Sequence, residues 1–173
     1  MTLLHAPDPR WHDLAQSEID SLIQTVNGLL TVHHIGSTSV PGLPAKPILD
    51  LLPVFRDAQA QASAQNQFEI LGYEWLGEYG LSGRAYARKS NPISGRRLVQ
   101  AHGYVSGHRD IIRHLAFRDA LRNNASLRAA YTSVKAACAS RYPEGGASYG
   151  TCKSEWINKA ETRALARIQE ASK

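Results

Sequence analysis

Residues 31–55 read TVHHIGSTSVPGLPAKPILDLLPVF, and the reading of this stretch decides the fold. An apolar-flanked run ends at Ile35 and meets Gly-Ser-Thr-Ser. The chain then passes two proline-containing turns and re-enters an apolar run at Ile48. The pattern is strand, loop, strand. Gly36 allows a sharp backbone turn because it has no Cβ to clash. Ser37, Thr38 and Ser39 add hydroxyls and backbone N–H groups, and such a turn can cradle a phosphate or another anion. Lys46 stands just before the second strand, and Asp50 is the one acid inside it. A carboxylate among apolar neighbours costs free energy unless it is paired, hydrogen-bonded or metal-bound. The stretch therefore marks a site as well as a core.

Working outward, Leu29–Ile35 is the first strand and 48–55 the second. Before them, Asp8-Pro9 signals a helix start. Trp11, Leu14, Ala15, Leu22 and Val26 recur at helical spacing, and Gly28 stops the run. Glu18 falls on this stripe, where an acid either pairs with a buried cation or lies at the stripe's edge, and the edge is expected. Residues 57–71 read as a single helix, capped by Asp57 and closed by Gly72. Strands are expected over 73–79, 85–89 and Arg97–Val105, with Asn91-Pro92 and Ser94-Gly95 turning the chain between the last two. In the last strand Leu98, Gln100, His102 and Tyr104 share one face, and Val99, Ala101 and Val105 the other. From His108 onward the period is helical, in three segments closed by Asn123-Asn124, by Pro143 and by the chain end. The expected class is α+β: a mixed β-sheet core over residues 1–106 with an N-terminal helix, and a helical part over 107–173 packed on it.

The chain has 173 residues, 43% apolar and 20% charged, as an ordinary globular protein has. No apolar run approaches the ~20 residues of a membrane span, so no membrane partner is expected. The N-terminus lacks a basic segment followed by an apolar one, so no signal peptide is expected. Cys138 and Cys152 lack metal-ligand spacing and read as buried free thiols, in keeping with a cytoplasmic protein. The net charge of +5 is unevenly placed. Residues 1–107 carry 8 Lys+Arg against 9 Asp+Glu, and residues 108–173 carry 12 against 6. That favours an anionic ligand docking against the C-terminal helices. Nucleic acid is the weaker alternative, since no basic-aromatic recognition motif is present.

A Gly-Ser turn after a strand, with an acid on the next strand, resembles the opening motif of the DNA polymerase beta-like nucleotidyltransferase superfamily. A longer match is more specific. HIGSTSVPGLPAKPILD (34–50), HLAFRDALR (114–122) and the later Tyr131, Lys135, Tyr149 and Lys153 together resemble the GrpB family, and Trp11 and Glu18 fit the same pattern. The resemblance spans nearly the whole chain. It implies a nucleotidyltransferase-like fold and a ligand that is a nucleotide or another phosphorylated small molecule. Gly36, Ser37, Thr38 and Ser39 would hold phosphate together with Lys46, Gln100, Arg118, Lys135 and Lys153. Asp50 and His102 would be the catalytic pair, and Asp50 would hold any Mg²⁺ or Mn²⁺.

The departures matter as much. Leu52 stands where a second metal-binding acid is expected, and Gln100 where the family usually has the first His of a His-x-His pair. Mg²⁺ takes hard oxygen ligands, and two-metal phosphoryl transfer needs shared carboxylates. The readings left open are a single ion on Asp50 and the ligand's phosphates, a transition metal on Asp50 and His102, or no metal. His102 can also serve as a general base, and Arg118 as a phosphate fork or as the partner of Asp119 or Glu18. The leading function is a nucleotidyltransferase-type transferase. The alternatives are a non-catalytic nucleotide- or anion-binding module, and an enzyme using His102 as acid/base without a nucleotide.

Overall fold

Strands β1 (Leu29–Ile35) and β2 (Leu49–Phe55) pair antiparallel, with Ile35 opposite Asp50 and His34 opposite Leu51. The computed structural model describes residues 3–171. Between these strands the chain makes one 3-10 turn, Ser37–Ser39. Strand β5 (Arg97–Val105) lies parallel to β2 and sets Gln100 beside Asp50. Strands β4 (Ala85–Ser90) and β3 (Tyr73–Trp75) complete an antiparallel flank, giving the order β1-β2-β5-β4-β3.

The sheet is covered on both faces, and β2 shows why. Leu49, Leu51 and Phe55 point into a core shared with Trp11, Ala15, Ile19 and Leu22 of helix α1 (Arg10–Thr25). On the other face Leu52 packs with Ile35 and Tyr104 against Ile111 and Leu115 of helix α4 (Arg109–Asn123). A strand buried on both sides reads as a continuous apolar run, as this one does around Asp50. Helices α5 (Ala125–Arg141) and α6 (Gly146–Ala171) follow. Their core joins Tyr131 to Val40, Leu43 and Leu121, and the Tyr131 ring stacks on Trp156 at 4.9 Å. Side chains cap two of the three C-terminal helices: Asn124, a preferred N-cap residue, accepts from the Leu127 N–H of α5 at 2.9 Å, and His108 accepts from the Asp110 N–H of α4 at 3.2 Å. Among the described residues no helix is long and apolar enough to cross a membrane.

Several expectations need correction. The region 57–71 forms two short helices, α2 (Ala58–Ala62) and α3 (Gln65–Ile70). Asp57 caps the first, accepting from the Ala60 N–H at 2.8 Å. Ser63 turns its hydroxyl back onto the Gln59 carbonyl at 2.7 Å, which competes with the helical ladder where few apolar contacts hold one axis. Strand β3 stops at Trp75, because Gly77, Gly80 and Gly83 all take positive φ in the loop that follows. Leu14 is 56% exposed and Ile19 takes its place on the buried stripe. For Glu18 the pairing reading holds in place of the edge one: it accepts from Lys89 Nζ at 2.7 Å and from the Tyr73 hydroxyl at 2.9 Å.

The two cysteines are not free thiols. Cys138 and Cys152 form a disulfide across the α5–α6 hairpin, with Cα atoms 5.9 Å apart. Sequence spacing gave no hint because the tight turn at 142–145 is what brings the helices side by side. In denaturant titrations, a Cys138→Ser/Cys152→Ser variant is expected to lose about 3 kcal/mol, as closure of a loop of this size contributes. An unchanged midpoint would show that the bridge adds nothing to stability.

Candidate functional site

The site forms where β1 ends. Gly36 has φ +69° and lies so close to Asp50 that a Cβ there would overlap the carboxylate oxygen Oδ2. The turn is thus laid directly on the acid, which remains partly open with its side chain 29% exposed. His102 Nε2 stands 3.5 Å from Asp50 Oδ1, an ion pair when the imidazole is protonated. Behind His102 lie the rings of Tyr86 at 5.2 Å and His114 at 5.8 Å. Burial drives the His114 pKa down to about 3, with the adjacent Arg113 adding to the effect, so this ring is neutral at pH 7. Gln100 accepts from the Tyr86 hydroxyl at 2.9 Å. Its carbonyl is thereby committed, and the amide N–H groups are left to the cavity it lines.

Three lysines from three segments converge on a cavity of about 330 Å³ that Ser37, Asp50 and Gln100 also line. Lys46 comes from the loop before β2, Lys135 from α5 and Lys153 from α6. Tyr149 sits between two of them, with Lys46 Nζ 4.4 Å and Lys153 Nζ 4.3 Å from its ring centroid. These are cation–π distances, and they fix both ammonium groups without neutralising them. Lys135 is 2% exposed and donates to the Pro44 carbonyl. Burial lowers its pKa to about 7 and that of Lys153 to about 8. Neighbouring lysines lower both further, and Asp50 opposes the shift. The Tyr149 hydroxyl is buried and has no hydrogen-bond partner among the described residues. Helix α6 opens at the cavity wall through Gly146 and Gly150, and its first N–H groups have no intrahelical acceptor.

The expected phosphate-binding residues separate into two groups. Gly36, Ser37, Lys46, Gln100, Lys135 and Lys153 gather around Asp50, with His102 beside it. Thr38, Ser39 and Arg118 face elsewhere. Thr38 Oγ1 bonds His34 Nε2 at 2.9 Å and donates to the Ile48 carbonyl at 3.3 Å, while the Ser39 hydroxyl donates to the Gly36 carbonyl at 2.7 Å. Both line a separate cleft with His34 and Arg122. Burial takes the His34 pKa down to about 4, so its ring stays neutral in that network. Arg118 donates to the His34 carbonyl at 3.2 Å and pairs with Asp119 at 2.7 Å, pinning the end of β1 to α4. Arg122 forks onto the Ser39 carbonyl at 2.9 and 2.8 Å. These residues shape the turn from behind.

Leu52, at the position where the resemblance led to the expectation of a second metal-binding acid, is fully buried between Ile35 and Tyr104. Among the described residues no group of three or more His, Cys, Asp or Glu could hold a metal ion. The donors present do not fit a two-ion centre. Sequence reading missed Tyr86, which sits in a short strand without any motif, and the start of α6. The Gly145-Gly146 pair ahead of a helical period was the available signal for the latter.

Comparison with known proteins follows the same lines. The sequence profile described as GrpB protein matches residues 2–163. UPF0157 protein YqkA of Bacillus subtilis is 38% identical over 136 residues, which cover 79% of this chain and 39% of YqkA. A UPF0157 protein of Pseudomonas aeruginosa is 35% identical, covering 92% of the chain and 66% of that protein. The chain thus spans less than two thirds of either relative. The crystal structure of the conserved protein GrpB from Enterococcus faecalis superposes with TM-score 0.87 at 38% identity, covering 96% of this chain and 99% of that one. The Cid1 poly(U) polymerase with Mg 3'-dATP bound superposes with TM-score 0.57 at 13% identity, covering 86% of this chain and 49% of Cid1. That likeness is one of fold alone. A sheet of this order, a Gly-Ser turn laid on a single strand acid, and a match that runs through the tail lysines place the chain in the GrpB family, on a nucleotidyltransferase-like fold.

Proposed function

We propose that the cavity binds a nucleotide or another phosphorylated small molecule, and that the protein is a nucleotidyltransferase-type transferase. The observation that carries this reading is the convergence of Lys46, Lys135 and Lys153 with the Ser37 turn on one carboxylate, Asp50. Lys135 is buried and Lys46 and Lys153 are half-buried, none in a salt bridge among the described residues, and such cations call for an anion; donors fixed before the ligand arrives stabilise phosphate charge at little reorganisation cost. In this reading the lysines and the α6 N-terminus hold the phosphates. Asp50 orients His102, and His102 takes the proton of the acceptor hydroxyl. A volume of about 330 Å³ lies at the small end of ligand pockets, which suits the phosphate-bearing part of the molecule.

The sealed Leu52 favours a second reading, a binding module without catalysis. The two part on His102→Ala: a transferase keeps ligand binding and loses turnover, whereas a module shows no turnover with either protein. Isothermal titration against a panel of nucleotides and sugar phosphates tests both, and no binding at millimolar ligand would overturn them together. Lys153→Met is expected to weaken binding about tenfold or more, as loss of a charged hydrogen bond does.

The lysines also predict a pH effect on stability. Lys135 has a folded pKa of about 7, below its ordinary value near ~10.4. The unfolded chain therefore binds more protons between these values. The ligand-free protein should gain stability as pH rises through that window, and the cost of the buried charge is fully present below it. Melting temperatures of the native protein and Lys135→Met, followed from pH 7 to 10, check this: the variant should show a flatter profile.

A further inference from the structure

The nucleotidyltransferase fold carries an expectation of divalent metal, as in the Mg-bound Cid1 structure, and the residues of this site contradict it. Strand register brings Ile35 and Gln100 to either side of Asp50, and Arg88 lies beyond Gln100 on β4. The row that crosses the sheet at the acid thus offers hydrocarbon, an amide and a guanidinium before it reaches a second carboxylate, Glu74 on β3, three strands away from Asp50 and already paired with Arg88. Two residues along β2, Leu52 is fully buried.

The charge that metals would bring is supplied by the chain itself. Lys46, Lys135 and Lys153 enter the cavity from three different segments and face Asp50 across it. None of them forms a salt bridge with a carboxylate among the described residues. Each is held by neutral groups: the Tyr149 ring for Lys46 and Lys153, and the Pro44 carbonyl for Lys135. A divalent ion on a lone carboxylate would face this cluster with like charge and poor ligation.

We propose that Lys46, Lys135 and Lys153 compensate ligand charge in place of divalent ions, so that the cavity takes the polyphosphate of its ligand without a metal. This rests on the phosphate-binding reading given above. Three cations against one carboxylate match a di- or triphosphate better than a single phosphate monoester. The groups facing the lysines are one another, Asp50, Tyr131 and Tyr149. At pH 7 Lys135, whose pKa is lowered by burial to about 7, is only partly protonated, and an arriving anion draws protons onto it.

The probe is inorganic tripolyphosphate, titrated calorimetrically at pH 7 in EDTA and again in excess Mg²⁺. Binding in EDTA that Mg²⁺ strengthens by no more than threefold, or weakens by complexing the probe, supports the proposal. Repetition in buffers of different ionisation enthalpy should show net proton uptake. A rise in affinity of more than threefold with Mg²⁺ overturns the proposal and leaves the phosphate-binding reading standing. Absence of binding in both media overturns the two together. Lys46→Gln/Lys153→Gln, which spares the buried Lys135, should keep the native circular dichroism and lose at least tenfold in affinity in EDTA. Unchanged affinity in that folded variant would also overturn the proposal.

Discussion

The absence of a side chain at Gly36 is the constraint on which the rest depends. With φ +69°, the turn after β1 lies against the Asp50 carboxylate at a distance that admits no Cβ. That approach brings Ser37 to the mouth of the cavity and leaves the acid partly open to it. Behind the turn, Arg118 and Arg122 hold the His34 and Ser39 carbonyls. The cationic tail thus acts on this turn twice, with arginines on the backbone side and lysines on the ligand side.

The two kinds of cation do different work because their surroundings differ. Guanidinium groups saturate carbonyl oxygens with several donors and stay charged under all ordinary conditions. Ammonium groups shift readily when desolvated, and Lys135 and Lys153 show it, with values pulled toward neutrality by burial. Asp50 offsets part of that penalty. The arrangement is costly without an anion, which is the expected state of a site organised for one.

Much of the fold was legible, and the reason is local. β1 and β5 were bounded in the sequence where the structure bounds them, because Gly28, Gly36 and Gly107 take positive φ at or near their ends. The apolar run around Asp50 marked β2 as a strand, and the structure buries it on both faces. Among the expectations that failed, two show why. The region 57–71 broke where the hydroxyl of Ser63 competes with the helix, and propensity alone does not weigh that competition. The disulfide depended on how two helices pack, which no spacing rule encodes. In the site, the turn, Lys46 and Asp50 were visible as neighbours along the chain. The resemblance grouped Lys135, Lys153 and Arg118 with them; that the two lysines reach the cavity while Arg118 turns to the His34 carbonyl follows from helix phase and packing, which the sequence pattern does not encode.

The Cys138–Cys152 bridge bears on how far the wall of the cavity can open. Helix ends ordinarily fray, and unwinding the first turns of α6 would be the simplest way to widen the cavity, since Tyr149 and Lys153 ride on them. Cys152 lies between those two residues and is covalently tied to α5 one turn beyond Lys135. From Cys152 onward the wall is thus fastened to α5, and any loosening of α6 from its N-terminal end is confined to the turn ahead of the bridge.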